Sequence, residues 1–216
     1  MESQLAKRIV AHKNFNIKEG KIYLWNAPMF FFLNETLPSL QNIFKTNNKN
    51  EIYKIIYYVG KIQAKNGTKI LLEKFGLKKL NLKIFLGIEA EQTVLIGAGK
   101  LDYKLIDEKL PHIIYTSKQL AFCQYYKKLF GIQKEAVNHY MRGMISGANE
   151  AVFPKTLFTI ETTCIAKGDK ECRFETKPLE EFKKDGLFKE EYFEEPVYFK
   201  DLLKIENVPY LLSGEK

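Results

Sequence analysis

Two cysteines and one glutamate near the end of the chain are spaced as ligands of a soft metal ion could be. Glu161, Cys164 and Cys172 follow the pattern E-x2-C-x7-C, with Gly168 and Asp169 between the two cysteines. A turn at this Gly-Asp pair would fold the flanking β-prone segments into a hairpin and bring the three side chains to one point. Two thiolates and a carboxylate supply three of the four ligands of a tetrahedral zinc site. The alternative interpretation is that both cysteines are small buried apolar residues and that Glu161 pairs with a lysine.

The other residues with reactive side chains do not form a pattern typical of catalysis. The glycines of the segment 97–100 resemble a phosphate loop only superficially, because the G-x4-GK[ST] spacing is missing, and a bend between strands is the better interpretation. The histidines, at positions 12, 112 and 139, are too far apart in the sequence to predict a catalytic triad. Cys123 lies among aromatic residues on a predicted helix, where a core position is expected. We therefore predict no catalytic residues.

Composition predicts an ordinary globular protein of the cytoplasm. Of the 216 residues, 45% are hydrophobic and 28% are charged, which suits a folded domain with a substantial core. The longest apolar run, residues 27–33, contains a proline and is much shorter than a membrane-spanning helix. No apolar stretch of a secretory signal follows the first residues. Three cysteines, an odd number, favour a reducing compartment over a disulfide framework.

The charge is divided unevenly along the chain. The net charge is +8, yet residues 179–216 carry ten Asp or Glu against six Lys. The lysines of the body are scattered over predicted helices, as expected of solvated faces, so nucleic-acid binding is not favoured. The acidic, aromatic segment after Pro178 is expected to pack on the basic body or to contact a protein partner.

The order of predicted elements is typical of an α+β fold with an antiparallel sheet packed against helices. A loop is predicted at 46–50, Ser117 is expected to cap the helix that follows it, and Gly131 to end that helix. Gly60 and Gly67, within the predicted helix 51–75, indicate either close packing against another element or a break in the helix. The predicted elements are strands at 21–25, 93–99, 101–106 and 111–116, helices at 29–44, 51–75, 77–91, 119–130 and 135–153, and a hairpin of 157–166 with 172–176.

Several segments together resemble the 4-vinyl-reductase domain family. Its superfamily includes the ligand-sensing domains of aromatic-responsive transcription activators and subunits of the TRAPP vesicle-tethering complex. The resembling segments are 21–24 with 29–33, Tyr58-Val59-Gly60 with Gly67, Ile96-Gly97-Ala98-Gly99, Ser117, Gly143-x3-Gly147 and the hairpin motif from Glu161 to Phe174. Only the hairpin motif is specific. The resemblance implies an α/β sandwich of the NO-signalling/Golgi-transport ligand-binding type over residues 1–178, a homodimer, and a buried pocket between helices and sheet; residues 179–216 are then a C-terminal extension.

The resemblance also implies a structural zinc, with one departure in this chain. In the aromatic sensors the ion is held by the glutamate and two cysteines of the hairpin motif and by a further cysteine. That further position, five residues before Gly143, is Asn138 here. The candidate ligands are therefore Glu161, Cys164, Cys172 and the neighbouring His139. Two alternatives stay open: Cys123 reaches in from the preceding helix, or no metal binds.

The function that this resemblance implies is a sensor or carrier for a small hydrophobic or aromatic ligand, acting through a dimer or a protein partner. Aromatic residues are the candidates for lining its pocket, and those chosen are Phe30, Tyr115, Phe122 and Phe158. A scaffold like the trafficking subunits is the alternative. A vinyl-reductase enzyme is less favoured, because the sequence has no nicotinamide or flavin motif.

Overall fold

The computed structural model describes residues 15–18, 21–24, 27–29, 34–74, 82–107 and 109–186. These residues form two antiparallel sheets and a set of helices, which confirms the predicted α+β class. The strands are β1 Phe15–Lys18, β2 Lys21–Leu24, β3 Ala27–Met29, β4 Gly99–Asp107, β5 His112–Leu120, β6 Leu157–Thr163 and β7 Cys172–Pro178. The helices are α1 Thr36–Lys74, α2 Leu82–Leu95, α3 Ala121–Phe130, α4 His139–Glu150 and α5 Leu179–Lys184, with one 3-10 turn at Ile165–Lys167.

The main sheet positions the hairpin that carries the metal-ligand pattern. Its four strands run in the order β4-β5-β7-β6, all antiparallel, so that the hairpin strands β6 and β7 are neighbours and β5 lies on the other side of β7. Side chains on β5 alternate in burial, as expected of a strand with one face against the core. The larger buried apolar cluster lies between this face and helices α2, α3 and α4.

Helices α1 and α4 cross in close contact because two glycines of α4 face the backbone of α1. A Cβ atom added at Gly143 would overlap the carbonyl oxygen of Tyr57, and one added at Gly147 would overlap that of Lys61. Close packing was predicted for Gly60 and Gly67 of α1. It is found at Gly60, where an added Cβ would overlap the carbonyl oxygen of Tyr140, but not at Gly67, which has no such neighbour within 4 Å. Helix α4 is thereby held between α1 and the sheet, and it lies directly against β6.

Local predictions failed where tertiary packing outweighs local preference. The loop expected at 46–50 is absent, since α1 continues from Thr36 to Lys74. Strand β5 runs on to Leu120, so Ser117 lies within a strand rather than at a helix cap. Residues 93–95 end helix α2 instead of starting a strand. Gly131, with φ of 72°, does end α3 as predicted.

The start of the C-terminal extension packs on the body. Phe182 of α5 is fully buried and lies in a second apolar cluster with Tyr57, Tyr58 and Phe158. The amino group of Lys177 lies 4.6 Å from the centre of the Phe182 ring. The division at residue 178 remains a prediction. None of the described helices is both long enough and apolar enough to cross a membrane.

Candidate metal centre and buried polar network

The turn between β6 and β7 brings the three residues of the hairpin motif together. Cys164 follows β6 directly, and Cys172 is the first residue of β7. Asp169 fixes the turn, because its Oδ2 accepts a hydrogen bond of 2.7 Å from the backbone N–H of Cys164. Gly168, with φ of 98°, adopts the left-handed conformation that closes the turn. The predicted role of the Gly-Asp pair is thus found in the structure.

Cys123 of helix α3 completes a group of four donor side chains. Its sulfur and the donor atoms of Glu161, Cys164 and Cys172 all lie within 4.8 Å of one another. The Cys123 sulfur is 3.2 Å from that of Cys164, 3.5 Å from that of Cys172 and 3.9 Å from Oε1 of Glu161. A tetrahedral zinc site with Zn–S bonds of about 2.3 Å has ligand–ligand edges of about 3.8 Å. The separations and the donor set therefore fit a tetrahedral soft metal ion, and we call these four residues the donor tetrad.

Hydrogen bonds link the thiols of the donor tetrad. The pKa of the Cys164 thiol is lowered, because the thiols of Cys123 and Cys172 donate hydrogen bonds to its sulfur. Burial raises the pKa of Cys123 above its usual range. Burial also raises the pKa of Glu161, and the negative charge on Cys164 raises it further. A bound cation would release these protons, since it coordinates the deprotonated forms.

Asn138, at the position where the resemblance implies a further cysteine, touches the donor tetrad. Its Nδ2 lies 2.5 Å from the Cys123 sulfur, 2.6 Å from Oε1 of Glu161 and 3.6 Å from the Cys172 sulfur. Its backbone N–H donates to Oε2 of Glu161 at 3.1 Å. Position 138 therefore faces the same space as in the resemblance, but here it presents an amide N–H where a thiolate is expected.

His139 was predicted as the fourth ligand, and the structure places it elsewhere. Its ring stacks on Tyr53 of α1, with centroids 3.8 Å apart, and its Nδ1 accepts from the guanidinium of Arg142 at 3.0 Å. Burial, with the charge of Arg142, lowers the pKa of His139 well below its usual value. As the first residue of α4, His139 is directed toward α1, whereas its neighbour Asn138 faces the donor tetrad. Of the two protein ligands considered for the fourth position, Cys123 has the required geometry.

A second buried polar group lies between α2, β5 and α4. The hydroxyl of Tyr115 donates to Oε2 of Glu89 at 2.8 Å and accepts from Nδ2 of Asn149 at 2.8 Å. We call Glu89, Tyr115 and Asn149 the polar trio. Sequence reasoning selected Tyr115 but missed its two partners. One signal was available: Glu89 follows Phe85 by four residues and so lies on the buried face of α2, where a carboxylate is unexpected.

The residues predicted to line a ligand pocket do not converge on one place. Tyr115 is fully buried in the larger cluster, whereas Phe158 packs in the second cluster with Phe182. Phe122, on α3, lines an apolar cleft of about 220 Å³ beside α1, which Tyr140 and apolar side chains of α1 also line. Phe30 lies outside the described residues. Their role in ligand binding stays a prediction.

Comparison with known proteins identifies the fold. No protein-family model and no curated protein matches the chain. Among solved structures, the phenol-responsive sensory domain of the transcription activator PoxR, solved with phenol, matches with a TM-score of 0.73 and 17% identity, over 89% of this chain and 96% of that one.

Two more distant structures match over smaller parts of the chain. A trafficking protein particle complex subunit 3 from Naegleria fowleri, covalently bound to palmitic acid, has a TM-score of 0.43 and 12% identity over 67% of this chain and 93% of that one. A vinyl-4-reductase family protein from Methanocaldococcus jannaschii has a TM-score of 0.39 and 16% identity over 69% of this chain and 98% of that one. Both TM-scores are too low to show a common fold. The chain thus has the fold of the phenol-responsive sensory domain, as the resemblance to the 4-vinyl-reductase superfamily implied.

Proposed function

We propose that this protein is a sensor or carrier domain that binds a small hydrophobic or aromatic molecule and is stabilised by a structural zinc ion. The observation that carries the proposal is the donor tetrad, at the hairpin where the resemblance places the zinc of the aromatic sensors. A scaffold that worked only through its surface would have no need of four convergent metal donors in its interior. The tetrad therefore favours the sensor branch of the superfamily over the trafficking branch.

The proposed ligands of the ion are Cys123, Glu161, Cys164 and Cys172. Three sulfurs and one carboxylate oxygen suit zinc, and no position is left open for a substrate, as in structural rather than catalytic sites. The ion would join helix α3 to the β6–β7 turn and add to the apolar contacts that already hold them together around the buried Ala166. Because the ligands must be free thiolates, the proposal places the protein in a reducing compartment such as the cytoplasm.

The ligand is proposed from the fold and from the character of the interior. The structurally similar PoxR domain is phenol-responsive, and its structure was solved with phenol. In this chain the layer between helices and sheet is apolar and rich in aromatic residues, and it contains the polar trio. Such an interior suits a compact apolar molecule with one polar group.

Two measurements on untagged protein test the proposal. Elemental analysis should find about one zinc per chain, which a chelator removes with a loss of thermal stability. Addition of phenol should raise the melting temperature, because a ligand that binds only the folded state stabilises it. Folded protein that contains no zinc and whose melting temperature is unchanged by phenol and by other small aromatics would refute the proposal. If the protein contains zinc but its melting temperature does not respond to the aromatics, the metal site stands and the sensor function is rejected.

A protein-interaction role is the second candidate, and one feature of α1 favours it. Three apolar side chains near the start of this helix are substantially exposed: Leu40, Ile43 and Phe44. An exposed apolar stripe on one helix is typical of a protein contact, and a homodimer is the occupant that the resemblance implies. Light scattering of the wild type beside Ile43→Glu tests this: a dimer that becomes a monomer supports the contact, and a wild-type monomer refutes the homodimer. The predicted contact of the C-terminal extension with a partner lies mainly outside the described residues.

A further inference from the structure

Glu89 is a buried carboxyl group for which the described residues provide no cation. The residue is 7% exposed and lies on the face of α2 that packs into the larger apolar cluster. No described Lys, Arg or His forms an ion pair with it, and its one side-chain hydrogen bond comes from the Tyr115 hydroxyl. Burial raises the pKa of Glu89 to about 8, and the bond from Tyr115 offsets only part of that effect. Acidic residues are almost never buried without a partner in proteins, so Glu89 requires an explanation.

The remainder of the polar trio is also short of hydrogen-bond donors. Asn149 is fully buried; its Nδ2 donates to the Tyr115 hydroxyl and to the carbonyl of Ile145, while its Oδ1 has no hydrogen-bond partner. Because Tyr115 uses its only proton on Glu89, it has none left for Asn149. A carboxyl group and an unpaired amide oxygen thus lie on either side of one hydroxyl. A buried acceptor without a partner is uncommon in folded proteins, and here it lies next to a buried carboxyl group.

We propose that the polar trio binds the amino group of a small aromatic or aliphatic amine, with Glu89 as the anion that pairs with it and Asn149 Oδ1 as a second acceptor. An alkylammonium group brings three N–H donors and a positive charge, so it can donate to both acceptors and stabilise the ionised form of Glu89. An alcohol or phenol brings one donor and no charge, and it would satisfy one acceptor only. The apolar cluster around the trio suits the hydrocarbon part of the amine. This inference rests on the proposed function and names the ligand class of that interior site.

Three probes of similar shape test it: benzylamine, benzyl alcohol and ethylbenzene, with phenol as a reference. Dissociation constants are measured by calorimetry at pH 7 for the full chain in its metal-loaded state. We expect benzylamine to bind at least tenfold more tightly than benzyl alcohol, and ethylbenzene to bind most weakly. Glu89→Gln keeps the size of the side chain and an acceptor for Tyr115. It should raise the dissociation constant of benzylamine at least tenfold and change that of benzyl alcohol less than threefold. The control variant Glu91→Gln, on the same helix, should leave both dissociation constants unchanged.

The outcomes separate the inference from the proposed function. If benzyl alcohol or phenol binds as tightly as benzylamine, the inference fails and the aromatic sensor stands. The inference also fails if Glu89→Gln leaves the preference for the amine intact. If none of the four probes binds to folded, metal-loaded protein, both fail. The comparison within the wild type needs no variant, so a destabilised Glu89→Gln protein would not prevent a decision.

Discussion

The donor tetrad and the polar trio are both polar groups in the interior, yet they suit different binding partners. The tetrad has donor atoms that converge on one point and only protons and the Asn138 amide to satisfy them. The trio lies between separate elements and has one carboxyl group with one hydroxyl proton. The three sulfurs of the tetrad suit a soft metal ion, whereas the carboxyl group and amide oxygen of the trio suit N–H donors.

The largest effect expected from this comparison is the loss of the metal ion when a tetrad cysteine is removed. In Cys123→Ser the zinc content should fall from about one per chain to less than a tenth, because three remaining ligands bind the ion weakly. The free energy of unfolding should fall by at least about 3 kcal/mol, since binding energy of a structural metal is folding energy. Elemental analysis and urea unfolding measure the two quantities. Thr162→Ser, an exposed change on the same hairpin, is the control and should keep both values.

A ligand exchange sharpens the assignment of Cys123. Asn138 Nδ2 lies beside the Cys123 sulfur, so a cysteine at position 138 has access to the same space. We expect the double variant Cys123→Ser with Asn138→Cys to regain at least half of the zinc that Cys123→Ser loses. This result would show that the fourth ligand has changed position along the chain while its place in the fold is kept. Elemental analysis that finds the double variant as poor in zinc as Cys123→Ser would contradict that interpretation.

The trio should be apparent in the pH dependence of stability. The pKa of Glu89 in the folded protein, about 8, is above the ordinary value of 4.5. Between these pH values the unfolded chain releases the proton while the folded chain keeps it, so Glu89 makes the folded state less stable as pH rises. From pH 6 to pH 8, the wild type should lose about 2 kcal/mol relative to Glu89→Gln.

Urea unfolding at the two pH values measures this difference, and Glu91→Gln serves again as the control. Equal pH slopes for wild type and Glu89→Gln would mean that a cation compensates Glu89 in the folded protein. A saturating amine ligand should likewise reduce the pH dependence of the unfolding free energy of the wild type, because it stabilises the ionised carboxyl group.

The tetrad and the trio also differ in how far the sequence predicts them. Glu161, Cys164 and Cys172 lie within twelve residues, so a hairpin alone brings them together, and the turn at Gly168 is a local signal. Cys123 is 38 residues before Glu161, and its contribution depends on how α3 packs against the hairpin. The trio comes from three elements whose packing no local pattern specifies. Spacing therefore predicts sites within one turn, whereas sites between distant elements require the fold.

His139 gives the smallest and most discriminating effect, because the sequence favoured it and the geometry does not. His139→Leu removes the stacking on Tyr53 and the acceptor for Arg142, so a loss of about 1–2 kcal/mol in unfolding free energy is expected. Its zinc content should equal that of the wild type, in contrast to Cys123→Ser. A fall in zinc content larger than the fall in folded fraction would restore His139 as a ligand and remove Cys123 from the site. Equal zinc content would show that neighbouring residues 138 and 139 serve different surroundings, one facing the donor tetrad and the other packing on α1.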